Sequence, residues 1–526
     1  MNRFAGTGEA IRFALRRDRL IIPFSLVGLV GWMVVYVISY VSLYGTQAEL
    51  DALKQSVAGN PALIAIHGPT GGLGTLGGTT AWESVPAISI ISGVFAMFSV
   101  IRHSRAEEED GRTELLLTSG SGRLAPLTAA LAVTSATLTV AAAGYVAVLA
   151  IGGYGIGPSI LLASAVLGFG LVITGTTAVF AQITQKARAA RGLVGIVIGV
   201  AWLLRAIGDT GNGVLTWFSP LGWAQQTRPF WDNLWWPLLL PLTASALAVL
   251  LSFWLLARRD IGGGLIQPRP GPDHASPSIL HPLGFSFRLH RGSVIAWTAM
   301  LLVYAVAIGA ISNNIEDILK SSAAVTEAFA SAGTDLLDSF FASILTVIAV
   351  LGAGFTVSAV LRPHSEESHD RASLLLSAPL GKVRWAASHV LIAYLASALM
   401  ISLTGLGLGI GLGFASGDFS RTSELFASGF AQVPAMWVTG GLALLLFGIS
   451  SRLGPLAWGL FAAFILIWTL ASFGDLPRWI VDLSPFSHTP AVPAVPVDLA
   501  PLLIMTLLSL AFTAAGLALW RRRDLA

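Results

Sequence analysis

The chain has 526 residues, of which 54% are hydrophobic and only 11% are charged. A soluble domain usually carries about 25% charged residues, so this composition excludes an ordinary soluble protein and indicates a membrane protein. The absence of cysteine excludes disulfides, thiolate metal sites and cysteine nucleophiles. The formal net charge of +3 is less informative, because in membrane proteins the positions of Lys and Arg matter more than their sum.

Twelve apolar stretches approach the length of about 20 residues that a helix needs to cross the hydrocarbon core of a bilayer. In the first half they are Leu20–Tyr44, Trp82–Ile101, Leu124–Ile151, Ile160–Ile183, Leu193–Ile207 and Leu234–Ala257. In the second half they are Ser293–Ile311, Phe340–Leu361, Trp385–Phe414, Phe426–Ser450, Leu456–Phe473 and Leu499–Trp520. The sequence therefore predicts an all-α integral membrane protein with 12 transmembrane helices in two sets of six.

The distribution of positive charge predicts the orientation in the membrane. With the N-terminus in the cytoplasm, 25 of the 31 Lys and Arg residues fall in cytoplasmic segments, five fall in external segments, and Arg205 lies within a span. This bias follows the positive-inside rule and predicts that both termini are cytoplasmic. An even number of spans per half also predicts a parallel repeat, with a pseudo-two-fold axis along the membrane normal.

The predicted domains are a first half at 1–261, a cytoplasmic linker at 262–282 that is rich in Gly and Pro, and a second half at 283–526. Each half is expected to begin with a stretch that mixes apolar and basic residues as interfacial helices do, Ile11–Arg19 in the first and Phe285–Arg291 in the second.

Two further features accompany this division. Arg259-Asp260 closes the first half as Arg523-Asp524 closes the second, which is a sign of duplication. The external segments 45–81, 313–338 and 474–498 are expected to form either a modest cap or plain connecting loops.

A polar segment between the second and third spans, Arg102–Arg123, recurs in the second half as Arg362–Lys382, with matching positions 259 residues apart and no gap. The matching positions are Glu107 and Glu366, Glu108 and Glu367, Arg112 and Arg371, Leu115–Leu117 and Leu374–Leu376, and Gly122 and Gly381.

This repeated segment has the local pattern of a helix. Ser104 and Glu107 have the spacing of a capping box, which predicts a helix that begins at Ser104 with an acidic first turn. Glu108 and Arg112, like Glu367 and Arg371, have the four-residue spacing that favours ion pairs along a helix. We therefore predict one amphipathic cytoplasmic helix per half, ending near Gly120 or Gly122 in the first and near Pro379 in the second.

Such a helix is either a solvated element on the membrane surface or a docking element for a protein partner. A helix that binds anionic lipid should be rich in Lys and Arg, whereas both of these begin with clustered carboxylates. The recurrence of the pattern in both halves also favours a protein partner.

Together these motifs resemble the fused, full-length type-two ATP-binding-cassette (ABC) exporter permeases, and within them the branch of polyketide-antibiotic exporters and multidrug efflux permeases. In that class a glutamate-rich helix between the second and third spans docks onto the ATPase subunit. The resemblance implies a first coupling helix formed by Glu107, Glu108, Arg112 and Glu114, and a second formed by Glu366, Glu367 and Arg371.

The second copy departs from the pattern, with Asp370 in place of Gly111 and Ser373 in place of Glu114. Between positions 107 and 114 the first copy has five carboxylates, and the matching part of the second has three. We therefore expect the two halves to engage identical ATPase subunits unequally, with neutralisation in the first copy more harmful to transport.

The sequence contains no G-x-x-x-x-G-K-[ST] phosphate loop. ATP and Mg are therefore expected on a partner chain, as two copies of a separately encoded ABC ATPase, one per coupling helix. Scattered His and Glu residues show no metal-ligand spacing, so neither a metal nor a cofactor is expected on this chain. The other expected partners are membrane lipid and a hydrophobic small-molecule substrate, and no nucleic acid.

Arg205 is the one charge well inside a predicted span, and it is either a substrate contact or a side chain that snorkels to the outer interface beside Asp209. The resemblance places the translocation path between the second, fifth, eighth and eleventh spans. Aromatic residues of these spans either line a cavity for an apolar substrate or are ordinary packing: Phe95, Phe98, Trp202, Phe355, Phe464 and Trp468.

The ninth predicted span carries glycine at alternate positions, Gly405, Gly407, Gly409, Gly411 and Gly413. They allow either close approach of neighbouring helices or local loosening of the helix.

The leading prediction is the permease of an ABC exporter in the plasma (inner) membrane, a transporter and not an enzyme, which moves amphipathic or hydrophobic compounds such as antibiotics, drugs or lipids outward. One alternative is a proton-driven transporter of the major-facilitator type, which predicts a G-x-x-x-D-R-x-G-R-R-like turn and buried carboxylates. The chain instead has a longer acidic segment and no obvious mid-span Asp or Glu. A second alternative is a non-transporting membrane sensor coupled to an ATPase.

Overall fold

The computed structural model describes residues 3–57, 61–118, 120–266, 273–274, 276–312, 335–368, 371–377, 380–473 and 477–523. The chain divides into two units, Met1–Gly271 and Pro272–Ala526. Across these described ranges the secondary structure is helical, apart from one isolated bridge between Thr184 and Ile266.

The described part of the first unit contains twelve α-helices. They are α1 Thr7–Arg17, α2 Ile21–Leu43, α3 Gln47–Val57, α4 Pro61–His67, α5 Leu76–His103, α6 Arg105–Glu109, α7 Arg112–Thr118, α8 Ala125–Ile151, α9 Ile156–Ile183, α10 Ala187–Thr210, α11 Pro220–Gln225 and α12 Leu239–Arg258.

The helices described in the second unit continue the numbering. They are α13 Pro282–Ser312, α14 Leu336–Val360, α15 Arg362–Ser368, α16 Arg371–Leu376, α17 Lys382–Ser416, α18 Thr422–Phe430, α19 Val433–Ile449, α20 Leu456–Phe473, α21 Arg478–Val481 and α22 Leu499–Arg522.

Twelve segments of the described chain are helical, long and apolar enough to cross a membrane. They are Ile21–Val41, Leu76–Glu109, Ala125–Ile151, Ile156–Ile183, Ala187–Thr210, Trp236–Arg258, Pro282–Ala310, Leu337–Val360, Lys382–Ser416, Thr422–Ile449, Ser451–Trp468 and Leu499–Arg522. The prediction of an all-α integral membrane protein with 12 spans is confirmed. The parallel-repeat symmetry, the linker at 262–282 and the cytoplasmic position of the termini stay predictions.

The start of the second unit differs from the prediction. The stretch Ile11–Arg19 lies largely in the separate helix α1, but its expected counterpart Phe285–Arg291 is the beginning of the continuous helix α13. Pro282 stands at the first position of α13, where its fixed φ suits a helix, and no second proline interrupts the chain before Ser312. A separate interfacial helix in the second half is therefore wrong.

The inner helices of each unit carry the core. In the first unit, Leu161, Leu162 and Phe169 of α9 are fully buried, whereas the peripheral helices expose apolar side chains such as Phe24 of α2 and Leu247 of α12. In a membrane those exposed side chains would face lipid, as expected for helices that are apolar on all sides.

The glycines of α17 serve close approach on two faces. A Cβ atom at Gly411 would lie 2.2 Å from the carbonyl oxygen of Val306 in α13, and a Cβ atom at Gly405 would lie 2.1 Å from the carbonyl oxygen of Leu425 in α18. Since α17 is one continuous helix from Lys382 to Ser416, close packing explains these glycines and local loosening does not.

The predicted external segments are partly helical where they are described. Segment 45–81 forms α3, α4 and the first turns of α5, and the indole of Trp82 donates to the carbonyl oxygen of Gly68 at 2.9 Å. In the described part of segment 45–81, ordered helices replace a plain loop. Segment 313–338 lies outside the described residues up to residue 334, and so do residues 474–476.

Candidate functional site: the duplicated acidic segments

The first acidic segment folds as two short helices. The chain turns at Asp110 and Gly111 between α6 and α7, and Gly111 adopts a positive φ of 73°, which glycine accommodates without strain. The second segment is likewise divided into α15 and α16, with residues 369–370 between them outside the described chain. The prediction of one continuous helix per segment is therefore wrong for the first copy.

The expected capping box at Ser104 is also absent. The hydroxyl of Ser104 donates to the carbonyl oxygen of Val100 at 2.5 Å and accepts no hydrogen bond from the backbone of α6. Ser104 follows α5 directly, so a backbone acceptor in the preceding turn competes successfully with the cap. Glu107 instead engages cations from other parts of the first unit.

Glu107 is 5% exposed, and its carboxylate pairs with two arginines. It contacts Arg17 at the end of α1, and the Arg112 guanidinium lies 3.1 Å away across the turn. The first acidic segment is therefore anchored to the N-terminal helix.

Glu108 has a different set of partners and accepts hydrogen bonds on both oxygens. Arg259 donates to its two oxygens at 2.5 and 2.6 Å, Arg105 donates at 2.9 Å, and the backbone N–H of Gly262 donates at 2.7 Å. The predicted pairing of Glu108 with Arg112 is wrong, because the turn at Gly111 changes the direction of the chain and Arg112 reaches Glu107 and Asp110 instead.

The second segment repeats this division of roles. Glu366 pairs with Arg371 at 2.6 Å and with Arg362 at 2.9 Å, while Glu367 pairs with Arg523 at 2.5 Å. Both glutamates are 5% exposed. The predicted pair Glu367–Arg371 is therefore wrong by one position, as in the first copy.

The exposed part of the first segment lies at the turn and on α7. The side chains of Asp110 and Arg112 are 39% and 49% exposed, and Glu114 is exposed. Glu109 is also exposed, yet its carboxylate accepts the backbone N–H of Ala187 at 3.0 Å and so holds the start of α10. A partner that approaches this segment would meet residues 110–114 before it met Glu107 or Glu108.

A second buried pair joins α1 to the end of α5. Asp18 is 3% exposed, and its carboxylate lies 2.8 Å from His103 Nε2 and 3.0 Å from Arg102 Nε. Asp18 is absent from the residues predicted above, although an isolated acidic residue within a basic stretch is a recognisable signal for an internal ion pair.

The two arginines that follow the last helix of each unit were recognised only as a sign of duplication. Arg259 follows α12 and Arg523 follows α22, and each binds the second glutamate of its own acidic segment. A sequence signal for this pairing exists. Each half contains repeated glutamates, in the acidic segment, and one repeated arginine, after the last span, and their charges are opposite.

The aromatic residues predicted to line a substrate cavity range from fully buried to exposed within their own units. Phe355 is 1% exposed in the core of the second unit, and Phe464 is 8% exposed. Phe95 and Trp202 pack against one cluster of the first unit, Trp468 is half-buried, and Phe98 is 52% exposed. Their contact with a substrate stays a prediction.

Arg205 is fully buried and held by protein groups. Its guanidinium donates to the carbonyl oxygen of Ile66 at 2.7 Å and lies 3.7 Å from the carboxylate of Asp209. Asp209 in turn accepts a hydrogen bond from the Thr216 hydroxyl at 2.7 Å. Arg205 thus joins α10 to the end of α4, and it does not snorkel to solvent.

Glu83 is a half-buried carboxylate on α5 that is absent from the residues predicted above. It lies two turns into α5, and its carboxyl group lies near the hydroxyl of Tyr40 on α2. The predicted span begins at Trp82, so Glu83 stands at its end. A carboxylate at the end of a span is ordinary and does not indicate a functional residue.

In the described chain, twelve helices are long and apolar enough to span a membrane, and two acidic segments are each anchored to their own unit. These features define a multi-pass membrane protein. Comparison with known proteins gives its family. Residues 279–521 match the family described as "Multidrug efflux system permease Rv1217c, C-terminal domain".

The chain is also 36% identical over 526 residues to the multidrug efflux system permease protein Rv1217c of Mycobacterium tuberculosis (strain ATCC 25618 / H37Rv), covering 99% of this chain and 95% of that relative. The chain belongs to this family of permeases.

Proposed function

We propose that this chain is the membrane permease of an ABC exporter that moves amphipathic or hydrophobic compounds, such as antibiotics, other drugs or lipids, out of the cell. The observation that carries the proposal is the match along nearly the whole chain to a relative named as a multidrug efflux permease. The apolar spans and the absence of a phosphate loop from the sequence support a transporter that depends on a separate energy source.

The energy source in this proposal is a separately encoded ABC ATPase, two copies of which would bind ATP and Mg and act on the two acidic segments. Both termini and both segments would lie on the cytoplasmic side of the plasma membrane, where the positive-inside rule favours the Arg-rich segments. Closure of the ATPases on ATP would move the segments and switch the permease between inward and outward access.

The buried glutamates change which residues are expected to meet the ATPase. Charge reversal at Glu108 or Glu367 would place a cation against Arg259 or Arg523 in surroundings with little solvent, so its effect would report on folding as much as on docking. The exposed residues Asp110 and Glu114 are the better probes of the docking surface in the first unit.

The proposal is tested by reconstitution of the permease with candidate ABC ATPases of its source organism in liposomes, with a fluorescent lipophilic drug as cargo. We expect drug movement that requires ATP, stops with vanadate, and accompanies ATP turnover stimulated by the permease. Drug movement driven by a proton gradient without ATP would favour the major-facilitator alternative. In that case Glu83→Gln, which removes the carboxylate near Tyr40, would be the first variant to examine.

ATP hydrolysis without movement of cargo would point to the second alternative, the non-transporting sensor. If the permease stimulates the ATPase but none of a panel of drugs and lipids crosses the membrane, a sensor that reports to the ATPase explains the data better. If no ABC ATPase binds the permease at all, the proposal fails.

A further inference from the structure

The second glutamate of each acidic segment is bound to the residue that closes its own half of the chain. In the first unit the carboxylate of Glu108 receives both terminal nitrogens of Arg259, at 2.5 and 2.6 Å. Such a two-pronged arginine–carboxylate pair is both strong and geometrically specific. Because Arg259 directly follows α12, the pair ties α6 to the end of the sixth span.

Arg259 is itself fixed by three further groups. Its Nε donates to the side-chain oxygen of Gln182 near the end of α9 at 2.9 Å, and Nη1 donates to the carbonyl oxygens of Gly263 and Asp260 at 2.9 and 3.0 Å. The side chains of Arg259 and Glu108 are only 4% and 7% exposed. A pair this well satisfied and this far from solvent holds one geometry, whereas an exposed pair exchanges its partner for water.

The second unit has the same pair in different surroundings. Arg523 directly follows α22, and its Nη2 lies 2.5 Å from the carboxylate of Glu367. Its Nη1 donates to the carbonyl oxygen of Phe447 at 2.9 Å, and the guanidinium lies 4.8 Å from the ring centroid of Phe447. The arginine is again held by a neighbouring span, here α19.

The recurrence of the glutamate–arginine pair in both units is independent evidence that the pair has a function. The paired residues are 151 positions apart in the first unit and 156 in the second, so the contact is retained although the intervening chain differs in length. The first glutamates, Glu107 and Glu366, also share a role, since each pairs with the arginine five positions later.

We propose that Arg259 and Arg523 are positioning residues for energy coupling: each fixes its acidic segment to the end of the last span of the same unit, so that displacement of the segment moves that span. This inference rests on the proposed function, because it is the ATPase that displaces the segments. Glu108 and Glu367 then transmit movement inside the permease, and the exposed residues 110–114 supply the contact to the partner in the first unit.

The test compares four single variants in the reconstituted complex of permease and ATPase. Arg259→Gln and Arg523→Gln remove the charge at the pair and keep most of the side-chain length. Arg258→Gln and Arg522→Gln are the matched controls, because each is the exposed last residue of its helix and immediately precedes the arginine of the pair. The readouts are association with the ATPase, ATP turnover, and the amount of drug moved per ATP hydrolysed.

We expect the two positioning variants to bind the ATPase and hydrolyse ATP close to the rate of the parent complex, while the drug moved per ATP falls by roughly 5-fold to 150-fold, the usual range of a coupling free energy. The controls should keep all three values. In the second unit the charge swap Glu367→Arg with Arg523→Glu should restore part of the lost transport, since it rebuilds the pair in reverse.

Two results overturn the inference. One is normal drug movement per ATP in Arg259→Gln and Arg523→Gln. The other is a parallel loss of association, turnover and transport that the charge swap does not restore, which would give the pairs a purely structural role.

Hydrogen exchange on the isolated permease separates this inference from the proposed function. Without any ATPase, Arg259→Gln should speed amide exchange in α6 and in the last turn of α12 together, and Arg258→Gln should not. If the parent complex shows no ATP-dependent transport, the proposed function fails. The exchange measurement still shows whether the pair holds α6 to the end of α12. Unchanged exchange in both elements would overturn the inference.

Discussion

Replacement of Arg205 by methionine tests whether this buried cation is structural or contacts a substrate. Arg205→Met removes the ion partner of Asp209, whose side chain is 1% exposed, and leaves the carbonyl oxygen of Ile66 without its donor. Loss of one member of a buried ion pair costs about 3–5 kcal/mol. The N···O separation of 3.7 Å makes the lower end of that range the better expectation for the pair.

A double variant separates the two parts of this loss of stability, the unpaired charge of Asp209 and the unsatisfied carbonyl oxygen of Ile66. Adding Asp209→Asn to Arg205→Met removes the unpaired charge but keeps an acceptor for the Thr216 hydroxyl. The remaining deficit should then be that of an unsatisfied carbonyl group, about 1–3 kcal/mol. We expect the double variant to be more stable than Arg205→Met alone, which is the signature of a charge pair.

Thermal unfolding of the purified permease in detergent measures both values, and drug binding is measured on the same samples. The reasoning is refuted if Arg205→Met unfolds at the temperature of the parent protein while drug binding is lost, because Arg205 would then be a substrate contact. It is also refuted if the double variant is no more stable than the single one.

Two further predictions concern packing and pH. Gly411→Val should destabilise the second unit by about 1–3 kcal/mol or more, because its Cβ would lie 2.2 Å from the backbone oxygen of Val306, whereas Gly459→Ala, in open space on α20, should leave the unfolding temperature unchanged or raised. Burial, and then the nearby Arg205 guanidinium, lowers the pKa of His67 to about 4. Its contribution to stability should therefore be complete above the unfolded pKa of about 6.5 and decline as the pH falls towards 4. His67→Gln should reduce the difference between unfolding temperatures measured at about pH 7.5 and about pH 5, and an unchanged difference would contradict this assignment.

The twelve spans could be predicted because apolar length is a property of each segment taken alone. A helix of about 20 apolar residues is specified by its own composition, and no distant contact is needed to recognise it. The same holds for the glycines of α17, whose spacing alone already allowed close packing as one of two interpretations.

The internal structure of the acidic segments could not be predicted in this way. A capping box and a four-residue ion pair are local patterns, yet Ser104 bonds to the preceding helix and Glu108 binds an arginine 151 positions away. Several arginines could pair with each glutamate when the sequence alone is considered. The packing of the spans determines which arginine lies next to it. The partner of a buried charge is therefore a property of the fold and not of the segment.

The two acidic segments differ in their number of carboxylates, which predicts unequal binding of the ATPase. The structure shows which of these carboxylates are exposed to a partner. In the first copy Glu107 and Glu108 are occupied by internal arginines and Glu109 holds the start of α10, so the acidic side chains presented to a partner are those of Asp110 and Glu114. In the second copy the position of Glu114 is taken by Ser373, which is exposed and uncharged.

Neutralisation of the exposed pair by Asp110→Asn with Glu114→Gln should therefore weaken association with the ATPase while the unfolding temperature stays that of the parent protein. Each exposed ion pair lost to the partner contributes up to about 1 kcal/mol, so a decrease of several-fold to about 30-fold in affinity is expected, and it should shrink at high salt. Ser373→Glu should have the opposite effect by adding to the second copy the carboxylate that it lacks. If neutralising the first copy left the affinity unchanged at low salt, the two segments would not differ in the way that their charges predict, and the ATPase would have to recognise the apolar parts of both.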